Sequence, residues 1–285
     1  MFFPDQYELL DFGRGRKLER FGPCLLDRPS AAADSPQFEH PEAWNQVTAR
    51  YARTGPTRGK WSSTGRLPEP WHVHHEDCTL ELRLTPFGHV GLFPEQAVNW
   101  DWLSQIQAAS REPLRLLNLF AYTGGATLAA AKSGAQVTHV DAARNVVAWA
   151  RRNAALSGLS KYPIRWITED AATFTRRELR RGNHYHGLVL DPPSYGHGPK
   201  GQVWKIGNDL QPLLETCAAL IAPDPRLVCL TAHTEGLSLG CLRNLLARTC
   251  IPRNSRPIDT AAMALVTADG RRLPNGMVLR WTNRD

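Results

Sequence analysis

Two periodicities of apolar residues divide this chain. In the first hundred residues apolar and polar positions alternate, most clearly in CTLELRLTPFG, where Leu80, Leu82 and Leu84 fall on one face. A period of two residues is typical of a half-buried β-strand. The pattern therefore predicts a small β-rich N-terminal domain with its connector, which we place at residues 1–105.

Beyond residue 106 short apolar runs alternate with longer amphipathic segments. The predicted strands are 114–120, 136–140, 164–167, 187–190 and 226–231. The predicted helices begin at 128 and cover 145–156, 171–181 and 213–221. Because strands and helices alternate, we expect residues 106–285 to form a mostly parallel α/β sheet with helices on both faces. The later segment MALVTADGRRLPNGMVLRW predicts two strands around a turn, so the sheet should finish with an antiparallel pair.

Polar groups follow four successive predicted strands. The segment LLNLFAYTGGATLAAA is a strand, a Gly-Gly turn and a helix, with Asn118 near the end of its strand. Asp141, Asp170 and Asp191 follow the next three strands. Ligands of open α/β sheets bind beyond the carboxyl ends of the strands. The ordered series therefore predicts a ligand site at this edge of the sheet.

The glycine pattern indicates which ligand this site takes. A dinucleotide fingerprint needs a third glycine, which is absent here, so a pyrophosphate cradle is disfavoured. Asp141 suits the two hydroxyls of a ribose, and Asp170 an adenine amino group, unless these residues cap the helices that follow. A nucleoside without a pyrophosphate is indicated, and S-adenosylmethionine is the leading candidate.

With these features the chain resembles the class I S-adenosylmethionine-dependent methyltransferases, and more closely the bacterial methyltransferases of large-subunit ribosomal RNA of the RlmI and RlmK kind. The resemblance covers roughly residues 91–235 and rests on LLNLFAYTGGATLAAA, THVDAARNVVAWARRNAALSGL, ITEDA, RRGNHYHGLVLDPPSYG and GLFPEQAVNWDWL. It implies the Rossmann-like class I methyltransferase fold, S-adenosylmethionine as cofactor without a metal, and RNA, in particular 23S ribosomal RNA, as partner. The first hundred residues match neither the PUA nor the THUMP domain of the larger family members.

The resemblance also implies roles for single residues. Asn118, Phe120, Tyr122 and Gly124 would line the methionine part of the cofactor, with Asp141 on the ribose and Asp170 on the adenine. Gln96, in GLFPEQ, would contact the cofactor or simply begin a helix in the connector. The remaining residues of the predicted cofactor site are Thr123, Ala142 and Ala171.

The segment VLDPPSYGHGP contains the predicted catalytic corner of Asp191, Pro192 and Pro193. Such a corner is either a plain turn or, in methyltransferases of exocyclic amines, the place where an acid and a carbonyl accept the amino hydrogens. Tyr195 is the fourth predicted catalytic residue and would stack on the base. In such corners the aromatic residue directly follows the two prolines, whereas here Ser194 lies between Pro193 and Tyr195. The predicted substrate-binding residues are Ser194, Lys200, Lys205 and His233.

The methylated atom is predicted from a missing thiol. Methylation of cytosine at C5 needs a cysteine that attacks C6. Relatives that make 5-methylcytosine have Ser-Cys-Ser after the fifth strand, where this chain has Ala232, His233 and Thr234. Cys229 lies earlier, inside the predicted strand, and we interpret it as packing. Methylation of nitrogen is therefore expected, on an exocyclic amine or a ring nitrogen such as guanine N7.

Composition narrows the class of protein further. The chain has 285 residues, 42% hydrophobic and 21% charged, with neither a signal-peptide pattern nor a bilayer-length apolar run, so we expect a cytoplasmic protein without a membrane partner. The net charge of +7 favours a polyanionic partner. Six scattered cysteines indicate reduced thiols, and WHVHHEDC is interpreted as a polar strand face rather than a metal site.

Three alternatives remain open at the level of sequence. The first is a methyltransferase acting on a small molecule or a protein. The second is an NAD-dependent oxidoreductase, which the missing glycine disfavours, and the third is a non-catalytic module that binds the cofactor. The sequence gives no oligomeric state.

Overall fold

The computed structural model describes residues 2–55, 58–221 and 224–283, and the chain divides into two units. The first unit comprises Met1–Val98 and Ala264–Asn275, and the second comprises Asn99–Met263 and Gly276–Asp285. The domain boundary expected between residues 105 and 106 stays a prediction.

The first unit contains a five-stranded sheet and a two-stranded ribbon. Its strands are β1 (Tyr7–Gly13), β2 (Arg16–Phe21), β3 (Cys24–Pro29), β4 (Ala49–Arg53), β5 (Gly59–Ser63), β6 (His72–His75) and β7 (Cys78–Glu81), with short 3₁₀ helices at Pro41–Gln46 and Pro94–Gln96. Strands β1 to β5 are neighbours in sequence order, and β6 pairs with β7. Leu80 of β7 is buried, as the alternating pattern predicts. Leu82 and Leu84, which the pattern places on the same face, lie beyond the end of the strand at Glu81; Leu82 is buried and Leu84 is half-buried.

Two of the three clustered histidines, His72 and His74, lie on the polar face of a strand, whereas His75 is buried on the opposite face. His72 and His74 of β6 alternate with the buried residues Val73 and His75. The Nδ1 atom of His74 lies 3.1 Å from the hydroxyl of Thr79. In the parts of the chain that the structure covers, no group of three or more His, Cys, Asp or Glu side chains is arranged to hold a metal ion.

The second unit has the strand and helix alternation that the sequence predicts. Its helices are α1 (Ala97–Ala108, which begins in the first unit), α2 (Gly125–Lys132), α3 (Arg144–Leu156), α4 (Ala171–Arg180), α5 (Ile206–Ile221) and α6 (Leu239–Thr249). Its strands are β8 (Arg115–Leu119), β9 (Gln136–Asp141), β10 (Ile164–Thr168), β11 (Gly187–Leu190), β12 (Tyr195–His197), β13 (Val203–Lys205), β14 (Leu227–Ala232), β15 (Asp259–Val266) and β16 (Arg272–Thr282). The end of β15 from Ala264 and the start of β16 up to Asn275 belong to the first unit.

The main sheet has seven strands in the order β10-β9-β8-β11-β14-β16-β15. The first five in this order run parallel, and β16 is antiparallel to β14. The expected sheet with its antiparallel end is therefore confirmed. Strand β8 separates β9 from β11, so the chain changes direction across the sheet at β8, which is the switch point where ligands bind in such sheets.

Successive side chains of the central strands pack in two separate hydrophobic cores, one on each face of the sheet. Leu117 and Leu119 of β8 pack in the core that contains Leu213 of α5. Leu116 packs in the other core, with Ala130 of α2. Because both faces of these strands are buried, they read as continuous apolar runs in the sequence.

The clearest differences from the sequence-based expectation concern α5, the β12–β13 hairpin and α6. Helix α5 begins at Ile206, seven residues before the predicted start, and contains Pro212. Pro212 lacks the backbone N–H that would donate to the carbonyl of Asn208. Asn208 is exposed, so water can donate to this carbonyl instead. Strands β12 and β13 form a hairpin that the sequence pattern did not predict, and α6 was not predicted either.

No helix among residues 2–55, 58–221 and 224–283 combines the length and apolar character that crossing a bilayer requires.

A buried carboxylate joins α4 to β10. Glu178 accepts hydrogen bonds from Arg165 over 2.7 and 3.2 Å, from the Tyr185 hydroxyl over 2.8 Å and from the Asn183 amide over 3.0 Å. Burial opposes ionisation of Glu178, but the hydrogen bonds from Arg165 and Tyr185 outweigh it, so the pKa of this carboxyl lies below its usual value.

We expect Glu178→Gln to lower the free energy of unfolding by about 2 kcal/mol, because charge-assisted hydrogen bonds are lost and Arg165 keeps no carboxylate. A lowered folded pKa stabilises the protein above the unfolded pKa of about 4.3, and this stability disappears as the pH falls through the folded pKa. Urea unfolding between pH 7 and pH 3 measures both effects. The control is Glu215→Gln on the exposed face of α5, and equal stability losses in the two variants would contradict the prediction.

Candidate active site

The candidate site lies at the carboxyl ends of the parallel strands. Leu119 of β8 is in register with Val140 of β9 on one side and with Leu190 of β11 on the other. Asp141 is in register with Thr168 of β10. The acids that follow these strands therefore meet at one edge of the sheet, as the sequence predicts.

The loop after β8 has an unusual backbone. Phe120, Tyr122 and Gly124 all have positive φ angles, of 56°, 49° and 95°. Such values strain residues that carry a Cβ and cluster at ligand-binding sites. A Cβ on Gly125 would lie 2.2 Å from the indole of Trp100, so this second glycine is also required by packing against α1. The close packing of Gly125 on Trp100 thus fixes the start of α2, into which this loop leads.

Asp141 holds this loop in place. Its Oδ2 accepts the Tyr122 amide and its Oδ1 accepts the Ala143 amide, each over 2.9 Å. Burial raises the pKa of Asp141, partly offset by these two hydrogen bonds. The N-cap residue of α3 is Ala143. Asp141 is therefore not the cap of this helix, which was the alternative interpretation from the sequence. Each carboxylate oxygen keeps a further lone pair, and together they can accept two vicinal hydroxyls.

Asp170 is the N-cap of α4. Its Oδ1 accepts the amide and the hydroxyl of Thr173, both over 2.8 Å. Within the described part of the chain, Oδ2 has no hydrogen-bond partner, so one oxygen is available to a ligand. Asp170 can therefore cap α4 through Oδ1 and still make the predicted contact with an adenine amino group through Oδ2.

Asn118 lies in a buried network behind the loop. Its amide donates to the Thr127 hydroxyl over 2.9 Å, and that hydroxyl lies 3.0 Å from Nδ1 of His139. Burial lowers the pKa of His139 to about 3, so its imidazole is neutral. The observed contacts of Asn118 join β8 to α2 and β9, and its predicted contact with the cofactor stays a prediction.

The other residues predicted to contact the cofactor lie on different elements of the chain. Thr123 is buried, and its carbonyl accepts the Asn153 amide over 2.9 Å. Ala142 follows β9, and Ala171 is the buried first residue of α4. Gln96 is the last residue of the 3₁₀ helix Pro94–Gln96 in the first unit and directly precedes α1. Its predicted contact with the cofactor also stays a prediction.

Asp191 lies beside two residues from the end of β14. The Thr231 hydroxyl donates to Oδ1 of Asp191 over 2.5 Å, and Nε2 of His233 lies 3.4 Å from the same oxygen. The register of β11 with β14 explains this arrangement, since Leu190 pairs with Leu230 and the next residues point to the same side. A Cβ on Gly276 would lie 2.6 Å from Nδ1 of His233, so β16 needs a glycine where the imidazole packs.

The Asp-Pro-Pro corner leads into the β12–β13 hairpin. The Pro193 carbonyl accepts the indole N–H of Trp204 over 2.7 Å. The Trp204 ring lies 4.9 Å from the ring of Phe120, measured between centroids. The Ser194 hydroxyl lies 2.7 Å from that of Thr234. Trp204 therefore connects the corner with the loop after β8.

Tyr195, Lys200 and Lys205 lie on the hairpin and are exposed. The Tyr195 hydroxyl is 3.2 Å from Nε2 of His197. The backbone amide of Lys205 donates to Asp209 over 2.7 Å, which ties the base of the hairpin to α5. Both lysine side chains are thus accessible to a polyanion.

Sequence reasoning missed four residues of this site: Thr231, His139, Trp204 and Gly276. Thr231 stands two residues before His233, and the period of a strand could have placed both beside Asp191. Nothing local marks Trp204 or Gly276, because their neighbours come from distant parts of the chain.

Comparison with known proteins agrees with this geometry. The model of the S-adenosylmethionine-dependent methyltransferase family matches residues 37–240, more than half of the chain. The crystal structure of a SAM-dependent methyltransferase from Agrobacterium tumefaciens is 36% identical, with a TM-score of 0.91, and the match covers 98% of this chain and 91% of that one.

Curated relatives match a shorter part. A ribosomal RNA large subunit methyltransferase K/L from Hahella chejuensis is 32% identical over 158 residues, 55% of this chain and 21% of the relative. The protein of the same name from Pseudomonas putida is 33% identical over 204 residues, 70% of this chain and 26% of the relative. The matched part thus spans about a quarter of the length of these relatives.

Proposed function

This chain belongs to the S-adenosylmethionine-dependent methyltransferase family, and from that premise we propose that it methylates a base of RNA, with 23S ribosomal RNA as substrate. The observation that carries the proposal is the Asp191-Pro192-Pro193 corner. It follows β11, the strand next to β8, and the hydroxyl of Thr231 in β14 donates a hydrogen bond to Asp191. The names of the curated relatives and the net charge of +7 support it.

The residues at the sheet edge fit S-adenosylmethionine. The Asp141 carboxylate offers a lone pair on each oxygen to the ribose hydroxyls, and Oδ2 of Asp170 can accept an adenine amino hydrogen. The strained loop from Phe120 to Gly124 would line the remainder of the cofactor. When bound, S-adenosylmethionine supplies a methyl group on a sulfonium, which is activated for transfer to a nucleophile.

The corner would orient the acceptor. Asp191 can accept a hydrogen from an exocyclic amine, and a second one can go to the carbonyl of Pro192, because the Pro193 carbonyl already accepts Trp204. Thr231 fixes the carboxylate, and His233 beside it can contact the substrate or take up the proton that leaves the nitrogen. Catalysis here is chiefly positioning of the amine for in-line transfer.

We propose nitrogen as the methylated atom. Burial raises the pKa of the Cys229 thiol to about 12, so this cysteine is not a thiolate near neutral pH. The positions after β14 are His233 and Thr234, without the cysteine that attack at cytosine C6 requires. A cytoplasmic location, as the composition predicts, belongs to the same proposal.

The test uses RNA from a strain in which the gene is deleted. Purified protein and labelled S-adenosylmethionine are incubated with 23S ribosomal RNA of that strain, and the nucleosides are then identified by mass spectrometry. We expect one methylated base, with its methyl group on nitrogen, that the deletion strain lacks. A 5-methylcytosine would overturn the choice of atom. In a parallel assay with an extract of the deletion strain, labelling of protein or small molecules that persists after ribonuclease treatment would overturn the choice of RNA.

We expect Trp204→Phe to lower kcat about fivefold while the affinity for S-adenosylhomocysteine stays within twofold. Phenylalanine can keep a ring contact with Phe120 but cannot donate to the Pro193 carbonyl, so the corner loses its anchor. Initial rates and calorimetry measure the two quantities. The matched control is Trp281→Phe, which removes an indole hydrogen bond of 3.2 Å to Ser255 at the other end of β14. Equal loss of kcat in both variants would refute a specific effect at the corner.

A further inference from the structure

The β12–β13 hairpin has two distinct faces. Tyr195 pairs with Lys205 and His197 pairs with Val203, while Gly196 pairs with Trp204 between them. Directly opposed residues of an antiparallel pair share a face, and successive residues alternate. Tyr195, His197, Val203 and Lys205 therefore form one face, which we call the outer hairpin face, and Trp204 lies on the inner face.

The inner face is anchored to the methyltransferase core. Trp204 is buried, packs against Phe120 and donates to the Pro193 carbonyl. The Ile206 amide donates to the Ser194 carbonyl over 3.1 Å, which closes the base of the hairpin. The outer hairpin face is consequently held in a fixed place beside the catalytic corner.

The outer hairpin face exposes aromatic and cationic groups together. Tyr195 is 53% exposed and Val203 is 51% exposed, an arrangement that leaves large apolar surface in water. The rings of Tyr195 and His197 meet edge to face with 5.1 Å between centroids, and the Tyr195 hydroxyl lies 3.2 Å from Nε2 of His197. Lys205 lies opposite Tyr195, and Lys200 is exposed at the turn.

Exposed aromatic rings beside lysines match one ligand chemistry well. Single-stranded nucleic acid binds by stacking its bases on aromatic rings while cations contact its phosphates. Tyr195 lies on the face opposite Trp204, and Trp204 is the residue that contacts the loop after β8. A base on Tyr195 is therefore on the far side of the hairpin from that loop, where the cofactor residues lie.

We propose that the outer hairpin face binds an unstacked nucleotide of the RNA next to the target, and not the target base itself. The neighbouring base stacks on Tyr195 and His197, and its phosphates contact Lys205 and Lys200. This inference rests on the proposed function as an RNA methyltransferase. It changes the role of Tyr195 from a catalytic residue to one that selects the sequence or structure around the target.

The experiment uses the full chain and a fluorescein-labelled single-stranded RNA of ten nucleotides, with binding followed by anisotropy. We expect Tyr195→Ala to weaken binding about tenfold, as the loss of one stacked base does. Lys205→Ala should reduce the slope of log affinity against log salt by about 0.7, the value of one phosphate contact. With 23S ribosomal RNA as substrate, Tyr195→Ala should raise KM and leave kcat within about twofold.

The matched control is Tyr162→Ala. Tyr162 is 39% exposed and lies just before β10, at the opposite end of the parallel strands, so its loss should not change RNA binding. If Tyr195→Ala binds RNA as the natural chain does, or lowers kcat instead of raising KM, the inference is overturned while the proposed function stands. If the natural chain neither binds nor methylates RNA but still binds S-adenosylhomocysteine, the proposed substrate is wrong and the inference fails with it.

Discussion

Replacement of Asp141 by asparagine is expected to weaken the binding of S-adenosylhomocysteine between tenfold and a hundredfold. A hydrogen bond to a charged group contributes about 1.5–3 kcal/mol, which corresponds to this range. Asparagine is a poor substitute here, since both carboxylate oxygens accept backbone amides from Tyr122 and Ala143. Its NH₂ group must face one of these N–H donors, and it also loses an acceptor for the ribose.

Calorimetry with S-adenosylhomocysteine measures the effect, and Asp141→Ala should bind at least tenfold more weakly than the natural chain. The control is Asp224→Asn, a change of the same kind just before β14, at the other end of the strands. Unchanged affinity in both Asp141 variants would exclude the ribose assignment.

A pH series adds a second readout for Asp141. Burial raises the pKa of Asp141, and the ionised carboxylate is the form that accepts two hydroxyl hydrogens. Affinity should therefore fall on acidification at a higher pH than for an ordinary aspartate, and Asp141→Asn should lack this component.

Replacement of Asp191 by asparagine is expected to lower kcat about a hundredfold and to leave the affinity for S-adenosylhomocysteine within threefold. Asp191 lies after β11, on the other side of β8 from Asp141, where it accepts the Thr231 hydroxyl. We assign it to the amine of the base, where removal of one preorganised group typically costs a factor of a hundred or more. Steady-state rates with 23S ribosomal RNA and calorimetry of the same preparations give the two numbers.

Thr231→Val tests whether the position of Asp191 matters. Valine keeps the volume and β-branch of threonine but removes the hydroxyl that orients the carboxylate, so kcat should fall in the same direction by a smaller factor. A parallel loss of kcat and of cofactor affinity in Asp191→Asn would instead assign Asp191 to the cofactor site.

Local periodicity was sufficient to predict most elements of the second unit. Strand β11 has the predicted bounds, 187–190, and β9 extends only one residue beyond its predicted end, because buried parallel strands read as apolar runs. Helix α5 was predicted too short because Pro212 disfavours a helix interior, yet the helix passes through it where the freed carbonyl is exposed. The β12–β13 hairpin was missed because its strands have three residues each and are stabilised by Trp204.

The sequence by itself determined the class of fold, the cofactor and the order of acids at the strand ends, because parallel strands place their carboxyl ends at one edge. Only the tertiary structure decided what those acids contact. Thr231 reaches Asp191 across 40 residues because β11 and β14 are neighbours in the sheet. The outer hairpin face exists because Trp204 docks on Phe120 and Pro193. Contacts of this kind depend on the order of strands and the docking of a hairpin, which no local pattern of residues encodes.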